Sequence, residues 1–420
     1  MAAIIRNKTL YVLNDNLGYE PFYTVNNEIF LTSDINRNVF DYEHYRRAIS
    51  SPTSLKIFRL YLLNDDETIR ADVSRYVTQA NVSFNHQQGQ TRECSLTVIN
   101  DDGFWAINPI GKIMWRGVKY RVDAGIFYDG VAYWKRCGIF TPSEPSYALD
   151  TKTISVQMFD KFALIDGTIG GKQPYKIKIP VGTKLKTAIR MLLSMERNNN
   201  ALYDTKDFLF PSEYENYKLP YTINQNVDVS IGEIIIELAT MIACDVFYND
   251  YGNLVISNGV DTVAFETKPI LWHYHADELQ YAETNVNIQF KEWVNKVIVR
   301  GAIEGGKQFY GEAVNTNPRS QTSVALNDTY SFQMTDSKIY SNKLCEDRAR
   351  YELKNKTVLT LQTKFKSIFI PHLIQNEMVK WDNKDLNIYN KKFIIKSISI
   401  DITGSMLMDI SLCNIDELCL

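Results

Sequence analysis

Residues 92–103 of this 420-residue chain read RECSLTVINDDG, and residues 154–167 read ISVQMFDKFALIDG. Each stretch is an alternating or β-branched run, typical of a half-buried strand, and each ends at an acidic turn that contains glycine. Asp and Asn side chains bond their own backbone in such turns, and glycine accepts a positive φ. Between Arg92 and Gly171 the sequence shows no arrangement of residues that could catalyse a reaction. It therefore predicts strands joined by turns and an architectural role.

Short strand patterns continue on both sides of this section. They follow one another between residues 55 and 159, separated by turns, which favours a barrel or sandwich over a βαβ sheet. The clearest pair covers residues 120–126 and 133–139, with Asp129-Gly130 as the turn of a hairpin. Strand patterns return after residue 285, so the sequence predicts a mainly β protein.

Helical patterns interrupt the strands in the middle of the chain. Apolar residues at three- and four-residue spacing predict an amphipathic helix over about 184–197. Ser230 and Glu233 have the spacing of a capping box, which predicts a second helix over about 231–243. A hairpin over residues 246–256 follows, and together these elements predict an α+β insertion in the β fold.

The length of the chain suggests several domains, since domains average about 150 residues. Residues 1–54 are polar and end at Ser-Ser-Pro-Thr, a turn-forming sequence that is typical of a boundary between segments. They are therefore interpreted as an N-terminal extension. This extension is expected to drape over a neighbouring molecule, with a small independent subdomain as the alternative. The remaining predicted domains are a first β domain (55–171), the α+β insertion (172–284) and a second β domain (285–420) with a helix over about 338–354.

Composition excludes some classes of protein. A net charge of -3 and a pI near 6.0 argue against a nucleic-acid binder with a broad basic surface. The six cysteines are scattered without a C-x-x-C pair and read as small buried hydrophobes, so neither a zinc site nor a disulfide framework is implied. The sequence shows no signal peptide and no long apolar run, and we expect no stable membrane association.

His273 and His275 form the one metal-like pattern in the sequence. Alternate residues of a strand share a face, so the two imidazoles could bind zinc or copper together. A third ligand cannot be assigned from the sequence. The simpler interpretation is an aromatic strand whose histidines lie on the solvent-exposed face. We expect neither a bound metal nor a cofactor.

Motifs for catalysis are not found. The sequence contains no G-x-S-x-G, P-loop, H-E-x-x-H or Cys-His nucleophile motif, and we expect no enzyme activity. Aromatic residues reach 12%, which suits a protein interface because tyrosine and tryptophan combine apolar area with a polar group. The candidates for a subunit contact, with barrel core as an equal alternative, are Phe104, Trp105, Ile107, Met114 and Trp115.

The order of motifs along the chain resembles a known family. The motifs are LTVINDDGFWAINP (96–109), GIFTPSEPSY (138–147), ISVQMFDKFALIDGTIGG (154–171), IPVGTKLKTAIRMLL (179–193), NKVIVRG (295–301), CEDRARYELKNKTVLTLQ (345–362), IPHLIQNEMVKW (370–381) and DITGSMLMDISL (401–412). They are similar to the hub proteins at the distal end of phage tails, both the contractile-tail baseplate hub and the N-terminal hub region of siphophage tail-associated proteins. The similarity covers roughly residues 56 to 415.

This resemblance implies two tail-tube-like β-barrel domains in one chain and three chains in a ring. Such a homotrimer has quasi-sixfold symmetry and joins a hexameric tube to a trimeric tip in the virion, after assembly in the host cytoplasm. The implied partners are the tail tube or distal tail protein, the C-terminus of the tape-measure protein, and a spike or tail fibre, with DNA only as passing cargo.

Two other functions remain open from the sequence. A receptor- or carbohydrate-binding tail protein would use exposed aromatic residues to bind host sugars. A peptidoglycan hydrolase would need a lytic domain, which we do not expect because the sequence ends at Leu420, directly after the last predicted strand.

Overall fold

The computed structural model describes residues 3–6, 9–14, 18–22, 28–31, 41–85, 89–105, 113–196, 203–242, 244–258, 269–275, 281–287, 293–357 and 361–414. The helices are α1 (Tyr42–Ser50), α2 (Leu185–Leu193), α3 (Ile231–Thr240) and α4 (Asn342–Thr357). The strands in the first half are β1 (Ala3–Arg6), β2 (Thr9–Asn14), β3 (Gly18–Phe22), β4 (Glu28–Phe30), β5 (Leu55–Leu63), β6 (Ile69–Asp72), β7 (Val77–Asn85), β8 (Arg92–Ile99), β9 (Tyr120–Tyr128), β10 (Val131–Pro142), β11 (Ser146–Ala148), β12 (Thr153–Asp160) and β13 (Ile177–Ile179). Those in the second half are β14 (Ile223–Gln225), β15 (Cys244–Tyr248), β16 (Leu254–Asn258), β17 (Ile270–Tyr274), β18 (Tyr281–Asn287), β19 (Lys296–Glu304), β20 (Lys307–Val314), β21 (Ser331–Thr335), β22 (Gln362–Ile368), β23 (Met378–Asn383), β24 (Ile388–Asp401) and β25 (Leu407–Asn414).

One sheet of 15 strands carries most of the fold. Its main path runs β18-β22-β25-β24-β7-β8-β12-β10-β9-β5-β6. Four strands branch from this path, because β11 pairs with β12, β4 with β10, β23 with β24 and β17 with β23. The prediction of a mainly β protein with a small α+β part is confirmed.

The same five-strand arrangement occurs twice in this sheet. Module 1 consists of β7, β8, β9, β10 and β12, which lie in the order β7-β8-β12-β10-β9. Module 2 consists of β18, β22, β23, β24 and β25, which lie in the order β18-β22-β25-β24-β23. Every neighbouring pair in both modules is antiparallel, and the strands follow one another along the chain in the same sequence. The topology is therefore repeated, although the residues show no repeat.

The two modules join where β7, the first strand of module 1, pairs with the end of β24 beyond its pairing with β23. The end of β24, from Ser397 to Asp401, pairs antiparallel with β7 from Asn85 back to Asn81. A β-bulge between Ile395 and Ser397 precedes this junction. One continuous core cluster beneath the sheet takes buried residues from both modules. A continuous core that crosses the junction is expected to make the two modules stabilise each other.

The insertion between β12 and β17 has a core of its own, built by α2, α3 and the hairpin of β15 and β16. The capping box at the start of α3 is present: Ser230 Oγ accepts from Glu233 N at 3.1 Å, and Glu233 Oε2 accepts from Ser230 N at 3.2 Å. Gly171 introduces this part with a φ of +99°, and an added Cβ would collide with the carbonyl oxygen of Ile165. Helix α2 ends at Leu193, earlier than the predicted end near residue 197, and Ser194 is its C-cap residue.

The strands predicted at 295–301 and 330–334 do not join the large sheet. They correspond to β19 and β21, which form a separate sheet with β20, in the order β20-β19-β21. Helix α4 covers this sheet, and a small core of Val297, Val299, Cys345, Ala349 and Leu353 lies between them. This unit sits between β18 and β22 in the chain, so it interrupts module 2. Helix α4 buries the apolar face of this sheet, so the sheet does not have to pack against the main core.

The described parts of residues 1–54 contact module 1 in two places. Strand β4 pairs in parallel with β10. Asp41 caps the N-terminus of helix α1, where its side chain accepts from His44 N at 2.9 Å. The helix buries Tyr45, Ala48 and Ile49 in the main core. Helix α1 precedes the predicted boundary at residue 54 and packs into the main core. Strands β1, β2 and β3 form a sheet of their own.

A largely buried ion network connects the turn between β5 and β6 to the insertion. The carboxylate of Glu67 lies 2.7 Å from Lys161 Nζ, 2.9 Å from Lys119 Nζ and 2.6 Å from Lys206 Nζ. Lys161 Nζ also lies 2.8 Å from Asp204 Oδ2. Burial alone would raise the pKa of Glu67, but the lysine charges and hydrogen bonds outweigh it and lower the pKa to about 2. Glu67 has a φ of +66°, a conformation that is uncommon for residues other than glycine.

Two further predictions concern thiols and membranes. Cys94, Cys137, Cys244, Cys345 and Cys413 are free and buried, as predicted, and Cys419 lies outside the described residues. In the described ranges, no helix has the length and apolar character needed to cross a bilayer.

Candidate functional site

A polar face covers the side of the large sheet that points away from the core. Along seven neighbouring strands, from β18 through β24 and β7 to β12, buried apolar residues alternate with accessible polar ones. The accessible residues are short and mostly uncharged, and we call this surface the polar face. Its central members are Asn81, Ser83, Ser95, Thr97, Ser155, Gln157, Ser397, Ser399 and Ser411.

Cross-strand hydrogen bonds order the polar face. Ser95 Oγ donates to Gln157 Oε1 at 2.7 Å between β8 and β12. Ser399 Oγ donates to Asn81 Oδ1 at 3.1 Å, and this bond crosses the junction between the two modules. The polar face is therefore continuous from module 1 to module 2, like the core beneath it.

The charges on the polar face are few and mainly acidic. Acidic side chains are contributed by Glu93, Glu283, Asp401 and Asp409, against Lys364 and Lys366. One of the acids is paired, since Lys366 Nζ lies 2.6 Å from Glu283 Oε2. Two open depressions lie on this surface, one over β7, β8 and β12 and one over β22, β24 and β25. A surface on which acidic groups outnumber lysines offers a phosphate backbone few basic contacts.

A second candidate site combines the two predicted histidines with a residue that sequence reasoning missed. His273 Nε2 lies 3.0 Å from Asp382 Oδ2, and His275 Nδ1 lies 3.8 Å from the same oxygen. The two imidazole rings are 3.7 Å apart between centroids. Among the residues that the structure describes, these three are the one group of His, Cys, Asp or Glu side chains with the spacing of metal ligands.

The carboxylate of Asp382 is held in place by the first residues of β24. Its Oδ1 accepts from Asn390 N at 2.6 Å. Burial alone would raise the pKa of Asp382, but this backbone hydrogen bond and the neighbouring His273 lower it below its usual range. Asp382 lies on β23, more than 100 residues beyond His275, and nothing in the sequence connects them.

The five predicted interface residues are placed differently from one another. Trp105 is fully buried and Met114 is 4% exposed, so both lie in the main core. Phe104 is half-buried and stacks on Tyr76 with ring centroids 5.1 Å apart. Trp115 is 41% exposed and can still contact a neighbour, whereas Ile107 lies outside the described residues. The subunit contact itself stays a prediction.

Comparisons with known proteins agree with this architecture. A family model described as a domain of unknown function, DUF5048, matches residues 326–418. A search of curated proteins finds no match.

Solved structures give stronger similarities. The 43 kDa tail protein of prophage MuSo2 from Shewanella oneidensis aligns with a TM-score of 0.58 and 13% identity, over 86% of this chain and 99% of that one. Prophage tail protein gp18 from Listeria monocytogenes aligns with a TM-score of 0.52 and 11% identity, over 85% and 95%. A tail protein from Neisseria meningitidis aligns with a TM-score of 0.51 and 9% identity, over 86% and 98%. The family resemblance of the sequence motifs is thus confirmed at the level of the fold: the chain has the fold of phage tail proteins.

Proposed function

We propose that the chain is a structural, non-enzymatic component of a phage tail tip, in which three copies form a ring of six similar modules. The observation that carries this proposal is the doubled module inside one continuous sheet. A ring of three chains then presents six equivalent positions to a hexameric tube and three to a trimeric tip. Symmetry matching of this kind needs no catalytic group.

The pairing of β7 with β24 within one chain is the pattern that we propose for the contact between neighbouring chains in the ring. Within one chain, the outer strand of module 1 pairs with module 2. The equivalent outer strand of module 2 is β18, which in the described part of the chain pairs on one side only, with β22. An exposed edge strand is a template for pairing with another chain. In the proposed ring, β18 pairs with module 1 of the next copy.

The polar face supports a channel for DNA. It extends over strands of both modules, so six such surfaces would enclose a bore when three chains close into a ring. Short serine, threonine and asparagine side chains offer neither basic contacts nor stacking platforms that would retain a nucleic acid. DNA would therefore pass through the bore as cargo during ejection.

The proposed place in the virion follows from the fold and from the resemblance of the motifs. The ring would lie at the distal end of the tail, below the tail tube or a distal tail protein, and above a spike or tail fibre. The C-terminus of the tape-measure protein would enter it from the tube.

Sedimentation equilibrium tests the ring directly. The proposal expects a species of three chains of 48.4 kDa each, populated more as the concentration rises. A protein that stays monomeric at the highest attainable concentration, and forms no ring in images of virions, contradicts it. Binding of the isolated protein on a glycan array would instead favour the receptor-binding alternative.

A further inference from the structure

We propose that His273, His275 and Asp382 bind one divalent transition-metal ion, with Zn²⁺ as the best-fitting ion. The ligand atoms of these three side chains all lie within 4.8 Å of one another. A tetrahedral zinc ion with bonds of about 2.0–2.2 Å holds its ligand atoms about 3.3 Å apart. Small side-chain rotations are therefore enough to bring all three atoms into coordination.

The backbone that carries the site is fixed by the core. Strands β17 and β23 pair in parallel, with Trp272 opposite Val379 and Tyr274 opposite Trp381. All four of these side chains are buried. Because strand residues alternate between faces, the buried Trp272 and Tyr274 direct His273 and His275 to the other face of β17.

The third ligand is oriented by its own hydrogen bond. Asn390 N donates to Asp382 Oδ1 at 2.6 Å, and Oδ2 faces both imidazoles. Metal-binding side chains are commonly held in this way by a second hydrogen bond, which fixes their direction before the ion arrives.

The chemistry of the three groups selects the class of ion. Two imidazole nitrogens and one carboxylate oxygen suit Zn²⁺ and its neighbours among the transition metals, whereas Mg²⁺ and Ca²⁺ prefer oxygen ligands throughout. His275 is 44% exposed at its side chain, so an ion can enter from solvent and keep a water molecule at its fourth position. The bound ion would fasten the end of β17, which is joined to the sheet through β23 alone within the described residues.

Calorimetric titration of metal-free protein with ZnCl₂ tests the site. We expect one Zn²⁺ per chain, and a rise in the unfolding temperature as Zn²⁺ is added. The His275→Ala and Asp382→Asn variants each lose a direct ligand, so their affinity for Zn²⁺ should fall by at least the roughly 10- to 100-fold that follows the loss of a ligand's hydrogen-bond partner alone. His275 is partly exposed, so its replacement should leave the fold intact. Co²⁺ gives a second readout, since its visible absorption in the wild-type protein should disappear in His275→Ala.

His44→Gln is the matched control. His44 also lies near a carboxylate, with Nε2 3.8 Å from Asp129 Oδ2, but it belongs to no three-ligand group among the described residues. This variant should bind Zn²⁺ as the wild type does. The proposal is overturned if the wild type binds no stoichiometric ion, or if His275→Ala and Asp382→Asn bind it unchanged. The contact between His273 and Asp382 would then be an ordinary hydrogen bond between neighbouring strands.

Discussion

Phe84 of β7 lies directly opposite Ile398 of β24, and the two side chains are only 2% and 1% exposed. This pair sits at the junction of module 1 and module 2, on the core side of the sheet. Its burial means that the two modules share one core and do not merely touch. The proposed contact between neighbouring chains in a ring would repeat this pairing between modules.

Truncation of Ile398 tests how much the junction contributes to the free energy of unfolding. Ile398→Ala should lower the free energy of unfolding by about 2–5 kcal/mol, because a buried cavity replaces the lost methyl groups. Urea unfolding followed by tryptophan fluorescence measures the change. Ile303, which is 70% exposed, provides the control, and Ile303→Ala should stay within about 0.5 kcal/mol of the wild type. Equal effects of the two variants would contradict a shared core at the junction.

Proline substitutions in β18 test whether this edge closes the ring. Asn285, Val286 and Asn287 pair in regular register with β22, so successive N–H groups point alternately to β22 and to the open edge. One of the two substitutions, Asn285→Pro or Val286→Pro, removes an N–H group that points to the open edge. That variant should keep the thermal stability of the monomer and lose the three-chain species. The other should lose stability, since it removes a hydrogen bond to β22.

Sedimentation of both proline variants at equal concentration gives the answer. If the variant of unchanged thermal stability still forms the three-chain species, β18 is not the strand that joins neighbouring copies.

Cysteine labelling tests the direction of the polar face. Ser155 is exposed, whereas the next residue, Val156, is 4% exposed and points into the core. Ser155→Cys should react rapidly with a small water-soluble maleimide, both in the isolated protein and in assembled tails with an open bore. Val156→Cys should react slowly. Ser155→Cys that becomes protected in assembled tails would show that a partner covers the face.

The native cysteines that the structure describes should add little background to this experiment. The five described cysteines are buried, and burial raises the pKa of the Cys137 thiol to about 12 and that of Cys413 to about 11. Thiols of such high pKa are poor nucleophiles at neutral pH.

Glu67→Gln tests the buried ion network through the pH dependence of stability. The pKa of Glu67 is lowered from 4.5 to about 2 in the folded chain, so the unfolded state binds the proton more readily. Its contribution is therefore present above pH 4.5 and is lost as the pH falls from 4.5 to 2. A shift of this size corresponds to about 3 kcal/mol.

Urea unfolding of the wild type and of Glu67→Gln at a series of pH values measures this contribution. The wild type should be the more stable at pH 6, and the difference should shrink towards pH 2. Glu215→Gln is the control, because Glu215 pairs with Lys186 at 2.9 Å on the exposed surface and should contribute under about 1 kcal/mol. A difference for Glu67→Gln that does not change with pH would contradict the network.

Local sequence signals predicted many elements correctly. The capping box of Ser230 and Glu233 is formed by side chains three residues apart, and the hairpin turn at Asp129-Gly130 depends on adjacent residues. Alternation in residues 154–158 likewise places Ile154, Val156 and Met158 in the core. Interactions of this kind are complete within a few residues, so the sequence alone contains the information.

Long-range partners could not be predicted in the same way. The pairing of Phe84 with Ile398 joins segments from opposite ends of the chain, and any of several apolar strands could have filled that place. Asp382 has no local feature that connects it with His273. Trp105 was equally consistent with an interface and with the core, because an aromatic side chain suits both, and its burial decides the point for the folded chain.

A cryo-EM reconstruction of the assembled tail tip tests the central claim most directly. The account predicts a ring of three chains in which six β modules surround one bore, with the polar face turned towards it. In that map, β18 of each chain pairs with module 1 of the next. A ring of six chains, or three chains whose two modules lie at different distances from the bore, would contradict the account.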